Sequence, residues 1–574
     1  MRKNLLSLFL VCITSIFCYS QKQLPTEFAP PLKDRMYLSG SFAELRTNHF
    51  HSGLDIKTGG VVGRNVYSIY DGYISRILVS PTGFGKAIYI THTNGYTSVY
   101  GHLDKFIPEI EKYVKEYQYS KEEFKVNIFP PKDKFVVKKG DLIAYSGNSG
   151  SSGGPHLHFE IRETDGEKPI NPLFFKFNVK DNTNPKIYSL KVFPYTVNDY
   201  VNGSNKVFTI NTTGWGKNYK LNSNDTILLK GSAYLGINTY DAMDDVHNKN
   251  GIYSIECFFD DESIYLFEAD EFFFHETRFI NATLDYKSIV EYNSKYYTTK
   301  LSPNNQIGMI KHIKNKGLIN VEDNNVHQVR FVVKDTYENT SVLTFYVKQD
   351  SKPYPYYEAK QYDFSFNHRI RNILEYDGVR LKADANTFFH DIDFDYSKTE
   401  STEKGALSPI YTLGDRSITS FKPIEIALEV DKDIPNHLKS KLYVGELSVK
   451  KEWVYVDGKV MFDWITFTTN NLGSYRIMID TIPPTITCNS LKANTSNYVG
   501  DKNKIDVYIK DSQSGIKSYY PTINGKWILM DYDAKNDKLT YEFDDRISKG
   551  ENLLKIEVLD NRNNKTVIER TLIY

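Results

Sequence analysis

A mainly β fold divided over several domains is predicted for this chain by three observations. Tyr and Phe are abundant, 43 and 34 against 4 Trp, and aromatics reach 14% of the sequence, a composition suited to pleated, half-buried surfaces. The chain runs to 574 residues, and since domains usually hold about 100 to 200 residues, roughly three to five are expected. Turn residues followed by alternating apolar runs recur along it, as at the entry of first strands.

Composition narrows the class of function. Hydrophobic residues at 40% and charged residues at 25% are ordinary for a folded globular protein. Lys+Arg and Asp+Glu are both 71, and no basic block could neutralise a run of phosphates, so nucleic acid is excluded as the expected partner. Met1-Arg2-Lys3 and the apolar stretch Leu5 to Phe17 form a charged n-region and a short h-region. That stretch falls below the ~20 residues of a membrane span. Residues 1–20 are therefore expected to be a signal peptide cleaved after Ser20, placing the protein in the periplasm, envelope or extracellular space. Phe17 before Cys18 is too bulky for lipoprotein processing. Only Cys257 and Cys488 remain after cleavage, which excludes a disulfide scaffold and a Cys-rich zinc site.

Two segments open alike. Asp181-Asn182-Thr183-Asn184-Pro185 and Asp480-Thr481-Ile482-Pro483-Pro484 each precede an alternating run, and Val332-Val333-Lys334-Asp335 with Asn339 echoes Glu557-Val558-Leu559-Asp560 with Asn564. Residues 181–350 and 481–574 are thus expected to be two copies of one Ig-like β-sandwich module, the first with an insertion. Residues 351–480 form a β-rich region of undefined fold. The modules carry no legible binding chemistry, and spacing and orientation are their expected roles.

Residues 21–180 differ in texture, being rich in Gly and in His. Lys86 to Thr93, Asn94-Gly95 and Tyr96 to His102 predict a hairpin, because Asn-Gly tolerates the positive φ of a tight turn. The expected register sets His92 opposite Thr97 and His102 opposite Ala87. Pro108 opens a stretch with Ile110, Tyr113, Val114 and Tyr117 at helical spacing, predicting a short amphipathic helix with its charged face in solvent. The segment 105–135 could gate a cleft.

Chemistry is expected at His51-Ser52-Gly53-Leu54-Asp55 and His156-Leu157-His158. A catalytic zinc site uses three protein ligands drawn from imidazole and carboxylate, leaving the fourth position to water. Two His and one Asp meet that count. On a strand His156 and His158 share a face, so one can bind metal while the other reaches the water.

These residues, with Asn94-Gly95-Tyr96-Thr97-Ser98-Val99-Tyr100-Gly101-His102, Lys139-Gly140-Asp141, Ser146-Gly147-Asn148-Ser149-Gly150 and Gly154-Pro155-His156-Leu157-His158-Phe159-Glu160, resemble the lysostaphin/LytM-type zinc peptidases, metallopeptidase family 23. The resemblance covers roughly residues 40–175. It implies an antiparallel β-sheet domain of the LytM type, with His51, Asp55 and His158 holding one Zn²⁺ per chain and His102 and His156 as catalytic histidines. It also implies a metallo-endopeptidase acting on peptidoglycan stem or cross-link peptide in cell-wall remodelling. The alternatives are a secreted protease on protein substrates and an idle envelope regulator or adhesion scaffold. The long segment between His102 and Lys138 departs from the family pattern. Glu160 shares the face of His156 and His158 and is read either as a hydrogen-bond partner of a ligand imidazole or as a surface carboxylate. His92 is expected to be structural, His49 to stand beside the site, and His275, His327 and His390 to be ordinary residues.

Overall fold

The computed structural model describes residues 28–223, 226–401, 403 and 406–574; the expected signal segment 1–20 lies outside the described residues. The described chain is mainly β. No described helix is long and apolar enough to cross a membrane. Cys257 and Cys488 are both free thiols.

The N-terminal domain is built on one largely antiparallel sheet. Its main strands are β1 (Leu38–Gly40), β2 (Leu54–Lys57), β3 (Gly72–Val79), β4 (Lys86–His92), β5 (Tyr96–Phe106), β6 (Leu142–Ser146) and β7 (His156–Glu163). They run in the order β1, β2, β7, β5, β4, β3, with β6 paired to β5 at one end. Strand β7 is therefore flanked on both sides and buried along nearly its whole length. Its alternation separates two environments. Leu157, Phe159 and Ile161 enter the domain core together with Leu54, Ile56, Ile90 and Tyr100, while His158, Glu160 and Arg162 form the opposite face.

Thr91, not His92, stands opposite Thr97, one residue away from the expected register, and a bulge between Lys86 and Ile88 then shifts the pairing. His102 lies next to this irregularity with a φ of 57°, a rare conformation for a residue with a Cβ. His92 packs against Phe28 and Tyr70 and bonds Ser98 Oγ at 2.7 Å, apart from the other histidines.

The helix α1 (Pro108–Lys121) forms where the Pro108 signal predicts it, burying Ile110, Val114 and Gln118. Glu109 and Glu111 in its first turn and Lys121 in its last suit the helix dipole. Its charged face lies in solvent at Lys112 and Glu116, but another part of it is covered by the C-terminal region. Lys115 Nζ pairs with Asp544 at 2.9 Å, Tyr119 Oη donates to the same carboxylate and its ring meets Trp527 edge-on at 5.2 Å, and Glu122 accepts from Tyr520 Oη. The helix is the dock for the C-terminal β region.

Residues 186–349 form a 13-stranded sheet system, with short helices from Phe274 to Tyr292 between the strands Glu262–Glu268 and Val326–Lys334. Its core takes in Phe42, Ala43, Leu45 and Phe50 beside Phe267, Phe272 and Phe331. The stretch leading to His51 is thus anchored in the neighbouring module rather than in its own domain. Residues 364–479 carry two five-stranded sheets and a short two-stranded one around Leu381, Ile426, Val444 and Ile477. Residues 485–573 make a four-stranded and a five-stranded sheet around Val507, Leu539, Ile556 and Leu572. The echoed turns have the same geometry: Asp335 Oδ1 accepts from the Asn339 amide and Asp560 Oδ1 from the Asn564 amide, at 2.9 and 2.8 Å.

Candidate metal centre and active site

Strand register brings the sequence-predicted residues together. His158 of β7 stands directly opposite Asp55 of β2, and directly paired antiparallel side chains lie close enough to share a ligand. On its other side His158 faces Gly101 of β5. A Cβ at Gly101 would meet His158 Cβ and Phe84 at 3.4 Å, so glycine leaves the space in which the Phe84 ring stacks on His158 at 4.9 Å. Gly53 serves a tighter approach, since a Cβ there would stand 2.3 Å from the Phe159 carbonyl. This closeness sets His51 beside the β7 face.

Three acceptor atoms converge. His51 Nε2 is 3.1 Å from His158 Nδ1, His51 Nε2 is 3.1 Å from Asp55 Oδ1, and His158 Nδ1 is 3.0 Å from Asp55 Oδ1. Tetrahedral coordination at ~2.0–2.1 Å puts ligand atoms about 3.3 Å apart, so the triangle needs only a slight expansion to hold a zinc-sized ion. Each imidazole commits its other nitrogen elsewhere. His51 Nδ1 donates to the Ser41 carbonyl at 2.8 Å, and His158 Nε2 donates to Glu160 Oε1 at 2.8 Å. Such outer partners fix the tautomer that offers the remaining nitrogen to a metal.

Glu160 is no surface carboxylate, being 0% exposed. It also accepts from Ser52 Oγ and, at 2.6 Å, from Arg162 Nε. Burial opposes its charge most strongly, but the Arg162 guanidinium together with His158 and Ser52 holds its carboxyl below the usual range. Phe274, from the module 181–350, lies over Arg162 at 4.5 Å and so shelters the polar face of β7. Burial acts against the Asp55 charge as well, yet the surrounding imidazoles hold its carboxyl far below the ordinary value. Arg46 Nη2 takes the second oxygen of Asp55 at 2.9 Å. Burial would lower the His158 pKa, but hydrogen bonds to Asp55 and Glu160 raise it to about 9.

His102 and His156 face the same cleft, their rings 4.8 Å apart. Their Nδ1 atoms are tied to backbone: His102 to the Ser149 carbonyl at 2.9 Å and His156 to the Gly154 carbonyl at 2.8 Å. Nδ1 is the donor in each, leaving Nε2 with a free lone pair. Burial, reinforced by the other two histidines, pushes the His102 pKa down to about 3, so this ring stays neutral. His156 Nε2 lies 3.4 Å from Asp55 Oδ1, at the rim of the triangle.

The cleft has a volume of about 560 Å³ and is walled by Phe84 and Ser151–Gly153 of the N-terminal domain and by Phe274 and Thr277 of the module. No residue of 105–135 lines it; the helix sits on the C-terminal region instead of gating the opening. The loop beneath His102 and His156 is held from outside, because Lys535 Nζ donates to the carbonyls of Asn148 and Ser152. His49 is exposed at the mouth, with Nδ1 on the Thr47 carbonyl, and does not join the triangle. His327, expected to be an ordinary residue, lies between Asp260 and Asp323 at 2.9 Å from each, away from the triangle. Arg46, Phe84, Phe274 and Lys535 carry no motif signal, since folding alone brings them to the site.

Two further groups of three carboxylates come together, Asp181, Asp241 and Asp335, and Asp480, Asp511 and Asp560. The sequence shows four of these six in the repeated module entries and Asp-x-x-x-Asn turns, but the carboxylate clusters themselves were not foreseen.

Residues 49–121 and 123–172 match the model of Peptidase family M23, and residues 364–480 match that of a Zu5-like domain, which gives the middle region an identity that its sequence pattern did not. Over 126 residues the chain is 32% identical to an uncharacterized metalloprotease of Haemophilus influenzae, covering 22% of this chain and 21% of that protein. Over 127 residues it is 33% identical to the peptidoglycan DD-endopeptidase ShyB of Vibrio cholerae, covering 21% and 24%. The chain thus spans less than a quarter of the length of these two relatives. A solved zinc-containing peptidase from Vibrio cholerae is 27% identical over 25% of this chain and 37% of that one, with a TM-score of 0.18.

Proposed function

We propose that this chain, whose N-terminal domain is a peptidase family M23 domain, is an exported zinc-dependent endopeptidase that cleaves peptide cross-links of peptidoglycan. The observation that carries the reading is the triangle of His51 Nε2, Asp55 Oδ1 and His158 Nδ1, 3.0–3.1 Å on a side, beside His102 and His156, whose Nδ1 atoms are tied to backbone carbonyls. Relatives supply the substrate class: one is named a peptidoglycan DD-endopeptidase. The leader-like residues 1–20 support export, where such a substrate lies.

His51, Asp55 and His158 would hold one zinc ion. Bound there, zinc lowers the pKa of water and polarises a carbonyl. Everything else falls to the chain's own groups. Glu160 and the Ser41 carbonyl keep the two imidazoles in the tautomers that face the triangle. His156 Nε2, at its rim, takes the proton from the attacking water and returns it to the leaving amine. His102, neutral before the reaction, accepts a hydrogen bond from the attacking water at Nε2 and so shares that proton with His156. Phe84 and Phe274 narrow the cleft around an extended peptide and keep bulk water from it.

The test is digestion of purified sacculi. Soluble muropeptides should appear, disappear when the zinc is chelated, and return with added zinc. Cleavage of casein without release from sacculi would replace this reading by a general secreted protease, and release of nothing by a zinc-loaded, folded chain would leave a scaffold.

A further inference from the structure

Asp181, Asp241 and Asp335 meet where the N-terminal domain joins the module 181–350. All are buried, Asp241 to 1% and Asp335 to 2% exposure, and their oxygens lie within 4.8 Å of one another. They line an enclosed cavity of about 10 Å³, together with Ser41 of the N-terminal domain and with Met243 and Tyr337. That is the space of a single small ion or water.

Hydrogen bonds satisfy only part of this charge. Asp335 accepts from the amides of Tyr337 and Asn339 and from Asn339 Nδ2, and Asp181 Oδ1 accepts from the Thr183 amide. Asp181 Oδ2, Asp241 Oδ1 and Tyr337 Oη are buried without a partner. Lys180, next in the chain, turns to Asp244. Burial and the neighbouring carboxylates push the Asp181 pKa up to about 7. Asp241 is raised well above the ordinary carboxylate range by burial and by the same neighbours, so without a cation the cluster must hold protons to relieve its charge, whereas one cation in the cavity answers both orphan oxygens and lets the carboxylates ionise.

The other module supplies an internal control. Its Asp480, Asp511 and Asp560 are built on the same turns, yet none of their carboxylate oxygens is buried without a partner. Two residues after Asp511, Gln513 gives its backbone amide to Asp511 Oδ2, and its side-chain amide, turned to match its surroundings, donates to Asp480 Oδ1 at 2.9 Å. Two residues after Asp241 stands Met243, whose thioether has no proton to give. Backbone amides of Ser514 and Gly515 also reach Asp480 Oδ2 and Asp511 Oδ2, whereas Asp181 Oδ2 and Asp241 Oδ1 are left without a donor.

We propose that Asp181, Asp241 and Asp335 form a binding site for Ca²⁺, a hard cation that takes oxygen ligands in irregular geometry, and that the ion ties the N-terminal domain to the module. Ser41 links this site to the chemistry, because its carbonyl orients His51. The proposal stands apart from the endopeptidase reading and can be tested without activity.

The full mature chain, loaded with zinc and freed of calcium, is titrated with Ca²⁺ in calorimetry and in thermal unfolding. One Ca²⁺ bound with a rise in Tm is expected, since a ligand of the folded state alone stabilises it. Asp241→Asn should weaken binding at least tenfold and abolish the Tm rise, while Asp511→Asn should retain both. Should Asp241→Asn not fold, Met243→Gln provides the same contrast, by supplying the amide found in the second module and lowering Ca²⁺ affinity. No uptake by the wild type at millimolar Ca²⁺, or wild-type uptake by both Asp241→Asn and Met243→Gln, would overturn the proposal.

Discussion

The two sides of the cleft are built by different means. His51, Asp55 and His158 lie on or beside paired strands, where register and the small residues Gly53 and Gly101 set their positions, and their backing is a buried carboxylate and arginine. His102 and His156 also stand on β5 and β7, but their rings are oriented by the loop 146–154, whose carbonyls hold their Nδ1 atoms and which is itself pinned by Lys535 from the far end of the chain. The difference teaches a division of labour. A metal set gains from rigidity, whereas groups that move protons tolerate support that a distant domain can adjust.

The comparison breaks most sharply at His158. His158→Ala should lose bound zinc and all turnover together, as measured by elemental analysis beside muropeptide release; zinc retained at wild-type affinity would remove His158 from the metal set. His102→Ala should keep its zinc and lose about 10²–10⁴-fold in kcat, the usual cost of deleting an acid–base group. Full activity in that variant would make the histidine side a single residue.

Glu160→Gln sharpens the rigid side. Outer partners of metal ligands typically contribute about 10–100-fold in metal affinity, so competition with a zinc-binding dye should show a weakening of that order with the fold intact. An unchanged affinity would mean that His158 is oriented by strand packing alone. Lys535→Ala is expected to have the smallest effect. Zinc should be unchanged and kcat should fall by about tenfold at most, one charge-assisted hydrogen bond being worth about 1.5–3 kcal/mol before solvent screening, with faster amide exchange confined to residues 146–154. Slower turnover without that exchange signature would place the contribution of Lys535 elsewhere.

What the sequence made legible follows the range of each signal. His156 and His158 share a face because strand alternation is local, and the helix at Pro108 could be seen from spacing alone. The Asp-x-x-x-Asn turns at Asp335 and Asp560 were readable for the same reason. The hairpin register was off by one at Thr97 because a bulge near His102 is a tertiary accommodation that alternation does not encode. The surroundings of Glu160 could not be read, since it is a module more than a hundred residues away, with Phe274, that turns the outer face of β7 into an interior. That Asp544 and Trp527 would cover Lys115 and Tyr119 of α1 had no local sign, although Lys112 and Glu116 stay exposed as expected.

The central claim, that the two sides have separate roles, is tested most directly by His156→Ala. Bound zinc and kcat are measured on the same purified sample, with His158→Ala alongside. The account predicts close to one zinc per chain and a loss of most turnover in His156→Ala, against loss of both in His158→Ala. Zinc shed by His156→Ala and kept by His158→Ala would reverse the two residues and contradict the account.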